Sequence, residues 1–294
     1  MRAGRRRKVF LGLLFFTVSV SCLTSFGAED KSVAASREIA MQNVAHRGMW
    51  DESVPENTAE AVKRAYDEGA TWVEVDFFYT KHDQVVCTHG VGPIKNYPKR
   101  PKRATDLTPE DIAAINLAPK NSGKVFRIPL LADVLSVVPK HCVLQAEIKG
   151  YSPRYADVFD AAVKSASLSE TNIVVSSFYY DALKDFKSRY PKYRTIWLHA
   201  LSRKDKFDVN EIIAKCKAAK FDCFCPAAFR LDRGVTPAHA DAIRNAGIEF
   251  RLFGVNNIKN LKLAKKYGAT GFTCNHWHKA FDWAKQIGGI RLVK

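Results

Sequence analysis

From residue 43 onward, short apolar runs alternate with longer stretches in which apolar residues recur every three or four positions. The short runs predict strands over 43–45, 71–76, 142–148, 173–176, 195–198, 222–225, 249–253 and 271–273. The longer ones predict helices over 58–68, 156–166, 181–190, 209–220, 237–245 and 260–267. Several of these helices stop at a glycine before the next strand, at Gly69, Gly247 and Gly268, as C-terminal caps do. Eight strands separated by helices predict a (β/α)8 TIM barrel rather than a doubly wound sheet. Residues 77–130 break the rhythm and predict an extra hairpin and a small insertion after the second strand, at about 91–125. Residues 28–42 are polar and read as a linker or short leading helix.

The first 27 residues differ from the rest. Arg2, Arg5, Arg6, Arg7 and Lys8 precede an apolar run over 9–20, which is short for a membrane span, and small residues follow it. This is the pattern of a secretory signal peptide cleaved after Gly27, leaving residues 28–294 as one barrel domain, periplasmic or secreted. The run Arg6-Arg7-Lys8-Val9-Phe10 also fits a twin-arginine export signal. Cys22 is a poor lipid-attachment signal, because the leucine expected three positions before it is absent.

Removing the five positive charges of that segment lowers the formal net charge from +16 to about +11. The excess favours anionic partners such as phosphates, an acidic membrane surface or a wall polymer. Nucleic acid is set aside because no nucleic-acid-binding motif is present. Cys87, Cys142, Cys216, Cys223, Cys225 and Cys274 remain after cleavage; an exported chain permits disulfides, yet strand cysteines more often serve as small buried residues. Oligomeric state is not legible.

Two strands end in charge. Glu74-Val75-Asp76 and Glu147-Ile148-Lys149 each place two ionisable side chains two residues apart, hence on one face of a strand. Parallel barrels keep their chemistry at the rim where such strands end. His46-Arg47-Gly48 follows the first strand, Pro55-Glu56-Asn57-Thr58 opens a helix, and His89 closes a second apolar stretch. Three carboxylates, two imidazoles and two cations suit phosphoryl transfer: acids for a divalent cation, cations for phosphate oxygens, imidazoles for protons.

The order of these segments, continuing through Ile128-Pro129-Leu130, Ser176-Ser177-Phe178, Val255-Asn256-Asn257 and Gly268-Ala269-Thr270-Gly271, resembles the glycerophosphodiester phosphodiesterase family over nearly the whole chain. The resemblance implies a metal-dependent hydrolase releasing glycerol phosphate and an alcohol from a glycerophosphodiester. It implies Glu74, Asp76 and Glu147 as ligands of Mg²⁺ or Ca²⁺, His46 and His89 as the acid–base pair, and Arg47 and Lys149 on the phosphate. Glu56 is expected near metal, substrate or His46, or satisfying a helix start, and Trp277 as an apolar wall or as core packing. One departure stands out: Gly90 follows His89 where the family usually has aspartate. His82-Asp83 is expected in a tight turn and does not replace it. Ser176 and Ser177 lack the glycines of a nucleophile elbow. Two further readings are a phospholipase-D-like enzyme acting on lysolipids or wall polymer, and a barrel that binds phosphate esters without turnover.

Overall fold

A computed structural model describes residues 38–90, 103–119, 121–202 and 206–294. The segment expected to be an export signal and much of the expected insertion lie outside these residues. Within 37–294 the chain forms one compact unit. Strands β1 (Ile39–His46), β2 (Trp72–Tyr79), β4 (Val143–Ile148), β5 (Ile173–Ser177), β6 (Arg194–His199), β7 (Cys223–Pro226), β8 (Glu249–Phe250) and β9 (Gly271–Cys274) run parallel around a barrel. β9 pairs with β1, and a bridge between Leu252 and Phe272 links the β8 and β9 edges, so the ring closes. All eight predicted strands are present.

Period-two alternation divides each strand between two environments. Val73, Val75 and Phe77 of β2, Leu144, Ala146 and Ile148 of β4, and Trp197 of β6 pack outward in the large core beneath the helices. A smaller cluster of Val174, Ile196, Leu198, Cys223 and Cys225, with Trp72, Val143 and Phe253 against it, fills the interior. The helices follow the predicted pattern: α1 (Ala59–Asp67), α4 (Tyr155–Ser165), α5 (Tyr180–Arg189), α6 (Val209–Ala219), α7 (Pro237–Asn245) and α8 (Ile258–Lys266). Thr58 caps α1, its hydroxyl accepting from the Ala61 N–H at 3.1 Å, and Gly69, Gly247 and Gly268 take positive φ where caps were expected.

Other elements escaped the pattern. The short helices α2 (Pro109–Ala114) and α3 (Leu131–Ser136) lie between β2 and β4, and α9 (Trp277–Ile287) with β10 (Ile290–Val293) follows the last barrel strand. β10 pairs with the first half of β1, on the edge that β2 uses further along. The expected hairpin is β3 (Val85–Cys87), antiparallel to β2, with His82 and Asp83 in its exposed turn. The described part of the insertion packs Leu107, Ile112 and Ile115 in one cluster with Val86 and Ile128. The six cysteines are all free and buried, so the disulfides an exported chain would permit are not formed among the described residues.

Candidate active site

Strand register assembles the site. His46 of β1 lies opposite Glu74 of β2, and Asp76 of β2 lies opposite Glu147 of β4. The alternation that sends Val73, Val75 and Phe77 outward turns these side chains inward, at the carboxyl ends of their strands. One carboxylate oxygen from each of Glu74, Asp76 and Glu147 lies within 4.8 Å of the other two, and all three residues are buried. Such crowding resists ionisation of all three at once. Burial, then Asp76 and Glu147, push Glu74 well above the usual carboxylate range. Burial and Asp76 push Glu147 up to about 7. Burial opposes the charge on Asp76 too, but Lys149 and Arg47 outweigh it and hold its carboxyl low.

Both cations reach this cluster. Lys149 Nζ is 2.9 Å from Asp76 Oδ1 and 2.5 Å from Glu147 Oε1. Arg47 sits at a left-handed φ of 62°, which bends the chain sharply after β1. Its backbone N–H donates to Glu74 Oε2 at 3.1 Å, its Nε lies 3.1 Å from Asp76 Oδ2, and Nη1 reaches both Glu56 oxygens at 2.9 and 3.0 Å. Glu56 therefore orients Arg47 rather than joining the acidic triad. Asn57 clamps Asp76 from two directions: its Nδ2 donates to Asp76 Oδ2 and its Oδ1 accepts from the Asp76 N–H, both at 3.0 Å.

The histidines are in different states of preparation. His46 Nδ1 lies 2.5 Å from Asn275 Oδ1. A carbonyl oxygen can only accept, so Nδ1 carries the proton and neutral His46 keeps a lone pair on Nε2. Burial and Arg47 lower the pKa of His46 to about 4, leaving it neutral at physiological pH. The Asn275 backbone N–H is in turn held by Asn256 Oδ1 at 2.8 Å. His89, beyond β3, is exposed, and partial desolvation of its ring together with Arg47 lowers its pKa as well.

A cavity of about 270 Å³ joins these groups, lined by His46, Arg47, Glu74, His89, Glu147 and Lys149 on its charged side. Phe178, Leu198, Phe229 and Phe253 form an apolar side. A second cavity of about 310 Å³ lies between Trp197 and α6, outside the barrel and away from the acidic triad, so the interior one is the candidate site.

The donors suit a hard cation. All are carboxylate oxygens; Glu74 Oε1 is buried with no hydrogen-bond partner among the described residues, and Asp76 Oδ1 and Glu147 Oε1 face the Lys149 ammonium. A bound dication would satisfy the orphaned oxygen and relieve the repulsion that lifts Glu74 and Glu147.

Of the expected site residues, His46, Arg47, Glu74, Asp76, His89, Glu147 and Lys149 converge, and Glu56 adjoins them. Trp277 does not. It is buried at the start of α9, its indole N–H donating to the Asn43 carbonyl at 3.1 Å and its ring packed on Phe281, because the helix turns its first residue into the core. His278 points away, toward Glu68 at 3.9 Å. Ser177 is structural, donating to the Ile148 carbonyl at 2.8 Å. Asn57 and Asn275 were visible only as neighbours of more conspicuous residues; nothing in the sequence shows that one clamps an acid and the other a histidine.

The model of the glycerophosphoryl diester phosphodiesterase family matches residues 46–279. A glycerophosphodiester phosphodiesterase of Caldanaerobacter subterraneus is 31% identical over 160 residues, half of this chain and 62% of that protein, so the chain spans somewhat under two thirds of that relative. An uncharacterized Bacillus subtilis protein, YqiK, is 26% identical over 80% of this chain and 95% of its own length. Among solved structures, an Oleispira antarctica phosphodiesterase in complex with the product sn-glycerol-3-phosphate superposes with a TM-score of 0.69 at 18% identity, covering 83% of this chain and 96% of that one. A glycerophosphodiester phosphodiesterase of Parabacteroides distasonis gives 0.68 at 18%, covering 86% of this chain and all of that one.

Proposed function

The chain belongs to the glycerophosphoryl diester phosphodiesterase family, and from that premise we propose that it hydrolyses glycerophosphodiesters to glycerol phosphate and an alcohol. The observation that carries this reading is the meeting of three inward carboxylates, two cations and two imidazoles in one cavity. The sn-glycerol-3-phosphate bound to the Oleispira neighbour supports the choice of substrate class.

Glu74, Asp76 and Glu147 would hold Mg²⁺ or Ca²⁺, which when bound neutralises charge on the phosphate diester. Arg47, fixed by Glu56, Asp76 and Glu74, presents its guanidinium to a phosphate oxygen, and Lys149 supports the same charge from β4. His46 acts as base: neutral, with Nδ1–H on Asn275, it takes through Nε2 the proton of the attacking hydroxyl. That hydroxyl belongs to water or to the glycerol carbon next to the phosphate ester. As the new P–O bond forms and the bond to the alcohol breaks, His89 delivers a proton to the departing oxygen. Where the glycerol hydroxyl attacks, the cyclic phosphate is opened by water with the two histidines exchanging roles.

We further read residues 1–27 as an export signal, which places the enzyme outside the cytoplasm, where its positive charge favours anionic surfaces. The N-terminal sequence and location of the protein test this: a chain beginning near residue 28 in the periplasm or medium supports it, and an intact Met1 on protein confined to the cytoplasm opposes it. Activity is tested by incubating the protein with glycerophosphocholine and glycerophosphoethanolamine in Mg²⁺, Ca²⁺ or chelator. Release of glycerol phosphate that disappears in His46→Ala supports the assignment. Tight binding with no release under any metal would leave a binding protein instead.

A further inference from the structure

The acidic triad already has a counter-ion from its own chain. Asp76 gives one oxygen, Oδ2, to Arg47 Nε at 3.1 Å and to Asn57 Nδ2 at 3.0 Å. Its other oxygen, Oδ1, lies 2.9 Å from Lys149 Nζ, which also reaches Glu147 Oε1 at 2.5 Å. Arg47 and Asn57 therefore leave Oδ1 as the Asp76 oxygen open to a further cation. A dication held by the triad and the Lys149 ammonium need the same atom. Two cations on one buried oxygen repel each other far more than they would in water. One of them has to yield.

The two basic side chains differ in their freedom to move. Arg47 is fixed by both Glu56 oxygens and by its backbone N–H on Glu74. Among the described residues the Lys149 ammonium pairs only with the two acids, and it rides on a flexible four-carbon stem. A second seat lies beside it. Lys149 Nζ is 5.8 Å from the centre of the Phe178 ring, close enough for an aromatic face to attract an ammonium. Phe178 follows β5 and lines the cavity, and Phe253 stands edge-on to it, centroids 5.3 Å apart at 89°. An ammonium drawn from the acids toward that ring stays within the cavity, where a phosphate would meet it.

Resting on the metal-dependent phosphodiesterase reading above, we propose that Lys149 is a built-in stand-in for the divalent ion, expelled from Asp76 when the ion binds, and that Phe178 is the positioning residue that then seats its ammonium. The test is calorimetric titration of Mg²⁺ and Ca²⁺ into metal-stripped protein at pH 8. Lys149→Met and Lys149→Gln are each expected to bind the ion about tenfold or more tightly than wild type. The glutamine keeps a donor for the acids without the charge, and cooperative thermal melts establish that the variants fold. Phe178→Leu is expected to weaken the ion roughly two- to fivefold in wild type and to change nothing in Lys149→Met, where no ammonium remains to be seated. Equal or weaker ion binding in both Lys149 variants, or no ion bound by any of these proteins, would overturn the proposal. An effect of Phe178→Leu that persists in Lys149→Met would overturn Phe178 as the seat. Metal-dependent hydrolysis of glycerophosphocholine by the wild type, beside Lys149 variants with unchanged ion affinity, would remove the proposal and leave the phosphodiesterase reading intact. Tighter binding in those variants, beside a wild type that hydrolyses no glycerophosphodiester, would sustain the competition and remove that reading.

Discussion

Replacing Asn275 with leucine removes one acceptor and nothing else of chemical consequence. The backbone N–H of residue 275 keeps its bond to Asn256, and leucine occupies much the same space. What disappears is the 2.5 Å contact that fixes the proton of His46 on Nδ1. Without it, neutral His46 divides between two tautomers, and the one protonated on Nε2 has no lone pair toward the substrate. A neutral hydrogen bond of this kind contributes about 1–1.5 kcal/mol, which corresponds to roughly a tenfold loss of kcat/KM at 1.36 kcal/mol per decade. The loss should fall on kcat, because the base is needed only as the proton moves. Asn275→Asp places a negative charge beside the ring and favours imidazolium, so the acid limb of the pH–rate profile should move up toward neutrality. The assay is steady-state hydrolysis of glycerophosphocholine from pH 4 to 9 at fixed metal. Wild-type kcat in Asn275→Leu, with an unmoved acid limb in Asn275→Asp, would refute the assignment of His46 as the base oriented by this contact.

Three further outcomes are expected. In metal-free protein, the Glu147 pKa rises from 4.5 to about 7 on folding, so between those values the folded state holds a proton that the unfolded state has lost. Its contribution to stability is therefore present below pH 4.5 and lost as pH rises to about 7, and Glu147→Gln should flatten that dependence in thermal melts; because metal displaces the proton, 100-fold excess of Mg²⁺ or Ca²⁺ over Kd should stabilise by about 2.7 kcal/mol, more visibly at pH 8 than at pH 5. Ser177→Ala should cost about 1–3 kcal/mol by leaving the Ile148 carbonyl unpaired, while hydrolysis persists and no phosphoserine forms; loss of all turnover in a folded variant would contradict the structural role. Gly90 has a φ of 145°, a region open in practice to glycine alone, so Gly90→Asp should lose about 1–3 kcal/mol without raising kcat, and a clear gain in kcat would show that the missing aspartate limits this enzyme.

Most of the barrel was legible because its strands are buried on both faces and bounded by glycine-capped helices, which leaves a strong pattern in the chain. The acidic triad was legible for a simpler reason: a spacing of two on a strand is enough to put Glu74 with Asp76, and Glu147 with Lys149, on one face. Register was not legible, so the pairing of Asp76 with Glu147 and of His46 with Glu74 had to come from the structure. Trp277 shows the limit of proximity in sequence. Two residues after Asn275 at the end of β9, it turns into the core because α9 begins there, and no pattern of apolar spacing announced that helix start. Phe178 and Phe229 come from different loops, and only folding brings both onto the ring of Phe253. Asn275 was hidden for a related reason: its value lies in one oxygen aimed at a ring 229 residues earlier in the chain.

Isothermal titration of Mg²⁺ and Ca²⁺ into metal-stripped protein, beside Glu74→Gln and with glycerophosphocholine turnover measured on the same samples, tests the central claim most directly. One ion per chain in the wild type, none or a much weaker one in the variant, and turnover that follows occupancy is the expected result. Undiminished turnover in protein that binds no ion would contradict it.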